Sequence, residues 1–485
     1  MTTEQMLEKY QMTIGIECHV QLATDTKLFS GADNDARDKP ANSVVSPIDF
    51  GLPGMLPILN RRAVDLAIMA GKALNAPIAH VSRFDRKHYF YPDLPKGYQT
   101  TQMYHPIILA GYIDAPLEDG TSVRVRIHHA HMEEDAGKLT HYSDYSLVDL
   151  NRAGTPLIEI VSEPDIHSAA AAKAYATELH HLMTYAGVTR GDLYHGNMRF
   201  DVNLSVALKD ATELGTRAEV KNLNSFRSIE KAAEYEFRRQ VGLLEKGETI
   251  VQETRGWDDT KQSTSSQRSK EDAQDYRYMP DADIPPIVLS DEEISTIQAT
   301  VPMLPPAYRQ KWQSLDLDRS VVDSLLSTQV YAALICTIQD QAGDGIAKRV
   351  AHWFSSALGR TDDDQPTVVR DNLTPAGFIE LATMVEANQL SSTAAKEVFV
   401  ELLTSDASAQ TIAESKNLLQ VSDEAAIIAI VKAVLADPTS AKAIADITSG
   451  NDKVIGFLVG QVMKQSQGKA NPALAQKLIR EQLNA

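Results

Sequence analysis

Cysteine is almost missing from this chain. Cys18 and Cys336 are the only two in 485 residues, which excludes a disulfide framework and a zinc site built from cysteine. Long apolar runs are missing too, and none approaches the roughly 20 residues that a membrane span requires. The polar start MTTEQMLEKYQ has no signal-peptide core. These absences read as a soluble, cytoplasmic protein. Positive charge is in deficit, with 47 Lys and Arg against 65 Asp and Glu and a net charge of −18. Such a chain is no general polyanion binder, so any contact with nucleic acid needs a local basic surface. At 43% hydrophobic and 23% charged residues the composition is globular. The length sets an expectation of about three domains.

Residues 12–22, 54–60, 121–132, 155–162 and 198–206 read as strands from their alternation and branched side chains. Residues 61–75, 168–186 and 225–246 have helical spacing, the second ended by Gly187. The strands cluster instead of alternating strictly with helices, which favours an α+β sheet with its helices on one face. Residues 253–275 are almost wholly polar and read as a mobile loop, and 281–290 as a Pro-interrupted closing strand. After Pro302 long helical patterns with Ser or Thr caps run to the end, with 361–372 as a linker. The expected division is a catalytic domain at 1–293, a helical linker at 294–410 and a helical tail at 411–485.

Several stretches can carry chemistry. In Gly15-Ile16-Glu17-Cys18-His19-Val20, strand alternation places Glu17 and His19 on one face and Cys18 on the other. That pairing suits a divalent metal, a proton-transfer pair or a solvent-side ion pair, and keeps His19 from activating Cys18. Glu133-Glu134-Asp135 ends a strand with three acids, which need water or a cation. Gly137-Lys138 is no phosphate-binding P-loop, because Leu139 stands where a Ser or Thr is required. Glu159 lies in a strand otherwise apolar on both faces, and calls for either a buried ion pair or a metal. Together Glu17, His19, Glu134 and Glu159 form the oxygen-rich set expected for Mg²⁺ held with nucleotide phosphates. The stretch 84–99 interleaves cations with aromatics, a pattern shared by phosphate-and-base surfaces and by aromatics packed under a loop. Between Lys453 and Arg480 stand five basic residues (Lys453, Lys464, Lys469, Lys477, Arg480) and no acid. That local reversal of charge suits nucleic-acid contact, although a solvated helix face has the same composition.

The segments IGIECHVQL, GLPGMLPILN, FDRKHYFYPDLPKGYQ, HMEEDAGK, SLVDLNRAGTPLIEIVSEPD, EVKNLNSF and DYRY resemble the B subunits of the bacterial aspartyl/glutamyl-tRNA amidotransferases. GFLVGQVMKQSQGKANPALAQKLI resembles that family's C-terminal helical module, so the likeness covers nearly the whole chain in order. It implies a mostly antiparallel catalytic domain similar to glutamine synthetase and the guanido kinases, then a helical linker and a tRNA-binding tail. It also implies phosphorylation, with ATP and Mg²⁺, of the side-chain carboxylate of Glu or Asp mischarged on tRNA(Gln) or tRNA(Asn). Ammonia released from glutamine by a separate amidase subunit would then displace the phosphate, and a third, small subunit would brace the heterotrimer. By motif position the resemblance implies His19, Glu134 and Glu159 as metal ligands with Glu17 beside them. Lys87 and Tyr89 fall in its transamidation site, and the tail residues Lys453, Lys464, Lys469, Lys477 and Arg480 would face tRNA. Lys96 falls with Lys87 and Tyr89 in the stretch lining the transamidation site and the ammonia route, as a cofactor-binding residue; Arg268 and Lys270, likewise cofactor-binding, match basic residues of the family's flexible loop.

Two departures stand out. Many relatives carry four cysteines before the GLPG motif, whereas FSGADNDARDKPANSVVSPIDFGLPG has none, so zinc is not expected and this loop must be held otherwise. Asp281 stands where the family usually has Glu, which leaves the role of that acid open. Two other readings compete: a stand-alone glutamine-synthetase-like ligase and a non-catalytic tRNA-binding scaffold. The basic tail argues against the first, and Glu17, His19, Glu134 and Glu159 against the second.

Overall fold

The computed structural model describes the chain apart from residues 1, 270–274, 359–369, 371, 421–423, 450, 467–469 and 484–485. Its contacts divide it into two compact units, Met1–Pro305 and Pro306–Ala485.

The first unit is built on β1 (Tyr10–Gln21), in which buried and part-exposed residues alternate over the whole length. Helix α1 (Arg61–Ala73) starts where the Asn60 side chain accepts from the Arg62 amide. A hairpin of β2 (Asp85–His88) and β3 (Tyr98–Thr101) follows. Strands β4 (Gly111–Pro116), β5 (Ser122–Glu134) and β6 (Pro156–Ser162) lead into α2 (Ala169–Tyr185). Ser168 caps that helix, and Gly187 turns the chain away at φ +70°, as the sequence predicts. Next come β7 (Met198–Leu208), β8 (Ala218–Leu223), the Ser225-capped helix α3 (Phe226–Leu244), β9 (Glu253–Asp258) and β10 (Ser263–Ser269). Finally β11 (Met279–Pro280) pairs with β2, and Ile287–Val288 pairs with Val81–Ser82.

Eight of these strands form one sheet in the order β10-β9-β8-β7-β1-β6-β5-β4. Every neighbouring pair is antiparallel except β8 with β9. Helices α2 and α3 pack on a single face over Ile14, Ile16, Cys18, Ile158, Ile160, Phe200 and Val202. This is the α+β class with helices on one face. Cys18 is fully buried in that core and faces away from His19.

Two sequence expectations fail. Residues 54–60 form no strand; the Ile58 and Asn60 amides donate to Phe29 and Leu28 carbonyls, and the Asn60 side chain donates to Thr26 and the Lys27 carbonyl, without a continuous ladder. Pro53 and Pro57 withhold ladder donors, and Leu56 and Ile58 lie exposed. The polar stretch 253–275 is not simply a loop, since β9 and β10 pair antiparallel through much of it. Trp257 anchors that ribbon in the core, and Arg255 joins Glu236, which is fully buried on α3.

The second unit is helical throughout its described residues. Phe354, Phe378 and Phe399 meet at ring-centroid distances of 5.0–5.8 Å. A separate apolar core gathers Ile427, Val431, Leu458, Val462, Leu478 and Ile479. It includes the helices Ile455–Gln465 and Pro472–Leu483, which present Lys464, Lys477 and Arg480 outward. The linker expected at 361–372 lies outside the described residues except for 370 and 372. No single helix among the described residues is long and apolar enough to cross a membrane.

The cysteine-free loop is held by polar contacts. Asn151 donates to the Pro40 carbonyl (2.7 Å) and accepts from the Val44 amide (3.0 Å), while Asn42 accepts from the Leu150 amide (2.8 Å). Asp49 accepts from Lys27 (3.3 Å), Ser30 (3.1 Å) and the Ser46 amide (2.8 Å). Gly154, at φ +82°, makes room for this carboxylate: a Cβ there would lie 2.7 Å from Asp49 Oδ1. The Lys27 side chain is 0% exposed, and Asp49 is its ion-pair partner. We therefore expect Asp49→Ala to strand a buried ammonium and cost about 3–5 kcal/mol in denaturant unfolding. Adding Lys27→Met should recover much of that loss; a single variant as stable as the parent would refute the clamp.

Candidate active site

The sheet face opposite α2 and α3 is charged. On β1, Glu17 and His19 point to it, and register places Asp201 of β7 across from Glu17 and Arg199 across from His19. On the other side Glu159 of β6 lies across from His19, and His131 of β5 across from Glu159. Glu133, two residues further along β5, shares the His131 side.

Four side chains converge there. His19 Nε2 lies 3.3 Å from Glu133 and 3.7 Å from Glu159, and His131 Nε2 lies 3.3 Å from Glu159 and 3.6 Å from Glu133. Burial works against charging either imidazole, yet the two carboxylates hold both above the ordinary histidine range, His131 at about 9. Burial alone would raise Glu133 and Glu159; the imidazoles beside them hold both below the usual carboxylate range. Paired acids this deep in the protein require positive charge, from imidazolium or from a cation. Ligand atoms of His19, Glu133 and Glu159 lie within 4.8 Å of one another, and two carboxylates with one imidazole suit Mg²⁺ or Mn²⁺.

A second group lies one step away on the same face, where Glu17, Asp201 and Glu219 bring carboxylate oxygens within 4.8 Å. Lys221 bridges Asp201 (2.7 Å) and Glu219 (3.0 Å), Asn203 donates to Glu17 (3.0 Å), and Thr254 donates to Glu219 (2.8 Å). Burial, then the carboxylates of Glu159, Glu219 and Asp201, push Glu17 upward. An acid that resists ionisation among acids fits a place where a divalent ion supplies the missing charge.

Beside the first group a cavity of about 530 Å³ is lined by Lys87, His129, His131, Glu133, Glu159 and Tyr278. The Lys87 ammonium stands 4.8 Å from the Tyr276 ring centroid. Burial would discharge it, but Glu133 foremost keeps it protonated. Tyr89 packs edge-on to Tyr276 at 6.1 Å, and burial raises its phenol, so it stays neutral. The segment carrying Tyr276 and Tyr278 is fastened by backbone contact with His88 and by a two-pronged Arg86–Asp281 ion pair (2.9 and 3.1 Å). Asp281 thus anchors that segment against β2.

Sequence reasoning places Glu17, His19 and Glu159 on this face, where they stand. It misplaces Glu134. Alternation along β5 turns Glu134 to the reverse side, where it binds the Lys96 ammonium and accepts from the Thr100 amide (2.9 Å). Glu133 is the acid beside His19. Lys96 is correspondingly engaged by Glu134, over the Tyr98 ring, and does not reach either acidic group. Arg268 contributes a backbone pairing opposite Thr254, but its side chain, together with Lys270 and Lys469, lies outside the described residues. Lys453 is exposed with the other described tail cations, and belongs to the second unit. Sequence reasoning also missed Asp201 and Glu219. The period of two that pairs Glu17 with His19 also selects Arg199, Asp201 and Asn203 in MRFDVNLSV, so the signal was present for β7.

The family model for the GatB/GatE catalytic domain matches residues 12–295, and that for the GatB domain matches 337–483. The chain is 44% identical over 481 residues to the B subunit of the aspartyl/glutamyl-tRNA(Asn/Gln) amidotransferase of Marinomonas sp., covering 98% of this chain and 99% of the relative. It is 42% identical to the protein of the same description from Caldanaerobacter subterraneus, covering 98% and 100%. It is also 42% identical to the B subunit of the chloroplastic/mitochondrial glutamyl-tRNA(Gln) amidotransferase of Physcomitrium patens, covering 99% and 87%.

The two adjacent glutamates make opposite predictions. Glu133→Gln should weaken Mn²⁺ binding at least tenfold in calorimetric titration. Glu134→Gln should leave Mn²⁺ affinity within about twofold while lowering thermal stability by roughly 1–3 kcal/mol. The reverse pattern would restore Glu134 as the ligand.

Proposed function

Because the chain belongs to the B-subunit family of the aspartyl/glutamyl-tRNA(Asn/Gln) amidotransferases, which are multi-subunit tRNA-dependent ligases, we propose that it activates the mischarged amino acid. The observation that carries this reading is the pair of acid groups, His19–Glu133–Glu159 and Glu17–Asp201–Glu219, side by side on one sheet face. Two adjoining divalent sites suit a phosphoryl transfer, in which catalysis consists mostly of positioning and charge neutralisation.

A carboxylate is a poor electrophile towards ammonia, because oxide is a poor leaving group. In the proposed reaction a side-chain carboxylate oxygen of the tRNA-linked Glu or Asp attacks the γ-phosphorus of ATP, and the bond to ADP breaks. Ammonia then attacks the carbonyl carbon of the acyl phosphate, inorganic phosphate leaves, and one proton is lost to give the amide. Bound Mg²⁺ would neutralise phosphate charge during the transfer. Glu17, Asp201 and Glu219, steadied by Lys221, would hold the cation of the triphosphate, and His19, Glu133 and Glu159 the cation nearer the acceptor. Lys87, kept charged by Glu133, orients the substrate carboxylate, while the neutral Tyr89 phenol offers a donor beside it. The ammonia comes from glutamine in a partner amidase subunit, with a small third subunit bracing the heterotrimer, and the reaction takes place in the cytoplasm. Residues 294–410 act as linker, and 411–485 as a tRNA-binding tail.

In the assembled enzyme Glu159→Ala or His19→Ala should abolish ATP-dependent carboxylate phosphorylation, at least a hundredfold, while glutamine hydrolysis continues. Transamidation at the parent rate would overturn the assignment. Removing the residues after Asn451 should raise KM for mischarged tRNA several-fold, flatten its salt dependence and leave KM for ATP unchanged. A folded truncation with unaltered tRNA affinity across a salt titration would refute the tail's role.

A further inference from the structure

A second cleft opens where β1 ends, with a volume of about 350 Å³, inside the range of small-molecule pockets. Gln21 lines it, two residues beyond His19 on the same face of β1 and hence about 7 Å further along. Glu17, at the second acid group, is about 13 Å from Gln21 on the far side of His19. The cleft therefore adjoins the His19–Glu133–Glu159 end of the site.

Its walls carry four cations, Arg37, Lys138, Arg152 and Arg190, against the two carboxylates of Asp35 and Asp149, a local surplus in a chain whose net charge is −18. Arg37 and Arg190 share the single carboxylate of Asp35, at 2.6 and 2.8 Å. Arg152 shares Asp135 with Arg199, at 3.3 and 3.0 Å. Lys138 makes no ion pair among the described residues. Amide groups line the same space: the buried Asn197 donates to Gln21 Oε1 at 3.0 Å. Beside the lining residue His195, Tyr194 stands 92% exposed, with the two ring centroids 5.2 Å apart. A tyrosine so open to solvent adds little to packing within the chain, and its ring offers a stacking surface for a base.

We propose that this cleft receives the terminal nucleotide of the single-stranded 3′ end of the aminoacyl-tRNA, with Arg37, Arg190 and Lys138 on its phosphodiester and Tyr194 stacked on its base. The proposal rests on the function proposed above and adds where the substrate is gripped. A nucleotide seated here projects the amino acid esterified to its ribose past Arg152 and Asp135 towards His19. ATP offers the same base and phosphate chemistry. Its triphosphate, however, needs a divalent ion, and the acid group at Glu17, beyond His19 from this cleft, suits that ion; in the cleft Asp35 is taken by Arg37 and Arg190, and Asp149 by the Asn42 and Asn151 amides.

The test uses the assembled amidotransferase with two acceptor-stem minihelices, one bearing the full 3′ end and one lacking the terminal nucleotide, both uncharged. The parent enzyme should bind the complete minihelix about tenfold more tightly. Arg190→Ala combined with Tyr194→Ala should bind the two equally, with KM for ATP unchanged; both side chains are exposed, and a thermal melt checks the fold. A variant that keeps the parent's preference overturns the proposal, and so does one whose loss falls on ATP. Binding of uncharged minihelix requires no chemistry. Failure of carboxylate activation in the parent enzyme would therefore count against the proposed function and leave this result readable.

Discussion

Each strand of the large sheet presents its side chains alternately to two faces, and the whole site depends on that separation. Helices α2 and α3 take one face out of water, so every second residue of β1, β6 and β7 must be apolar. The intervening residues are then free to carry charge. Five neighbouring strands, β5, β6, β1, β7 and β8, contribute charged or imidazole groups to the exposed face, and antiparallel pairing sets them in rows. A slip of one residue in any strand would turn its charges into the core and its aliphatic groups outward. The dry core thereby fixes the register of the acids.

Charge balance on that face is local. The first acid group is balanced by two imidazoles, with His129 stacked behind His131 at 5.2 Å and held down to about 4 by burial, then by His131 and His128. The second is balanced by Lys221, whose ammonium is raised by Asp201 and Glu219 against the pull of burial. In the second group the balance is incomplete, since burial and then the carboxylates of Glu159, Glu219 and Asp201 hold Glu17 above the ordinary range. A preorganised excess of negative potential in a half-dry site is the condition that favours a divalent ion, as the proposed function requires.

Much of this was legible from the residues. Alternation alone placed Glu17 beside His19, and the apolar context of Glu159 marked it as an acid that needs a partner. The fold class followed from clustered strands, and the ends of α2 followed from Ser168 and Gly187. The sequence was least informative where two readings share a local pattern. Glu133 and Glu134 differ only in parity, and parity becomes visible once β5 is set against β6. Residues 54–60 have strand-like composition, but Pro57 within them and Pro53 just before deny the ladder. The pairing of β9 with β10 depends on Trp257 and Arg255 finding the core and Glu236, contacts between elements that no local pattern encodes. The link of Arg86 to Asp281 is likewise invisible until the chain has closed.

That closure has a consequence for biosynthesis. Arg86 meets Asp281 across 195 residues, and the strand pairings that accompany it bring residues 279–288 back to residues 81–86. At a synthesis rate of roughly 5–20 residues per second, β2 emerges from the ribosome on the order of 10–40 s before the strand that covers its edge. During that interval the nascent hairpin exposes unpaired backbone, and neither Tyr276 nor Tyr278 is available to enclose Lys87. The proposed activation site is thus enclosed only when residues 276–288 have been made, and a chain cut short before them carries a sheet without that enclosure.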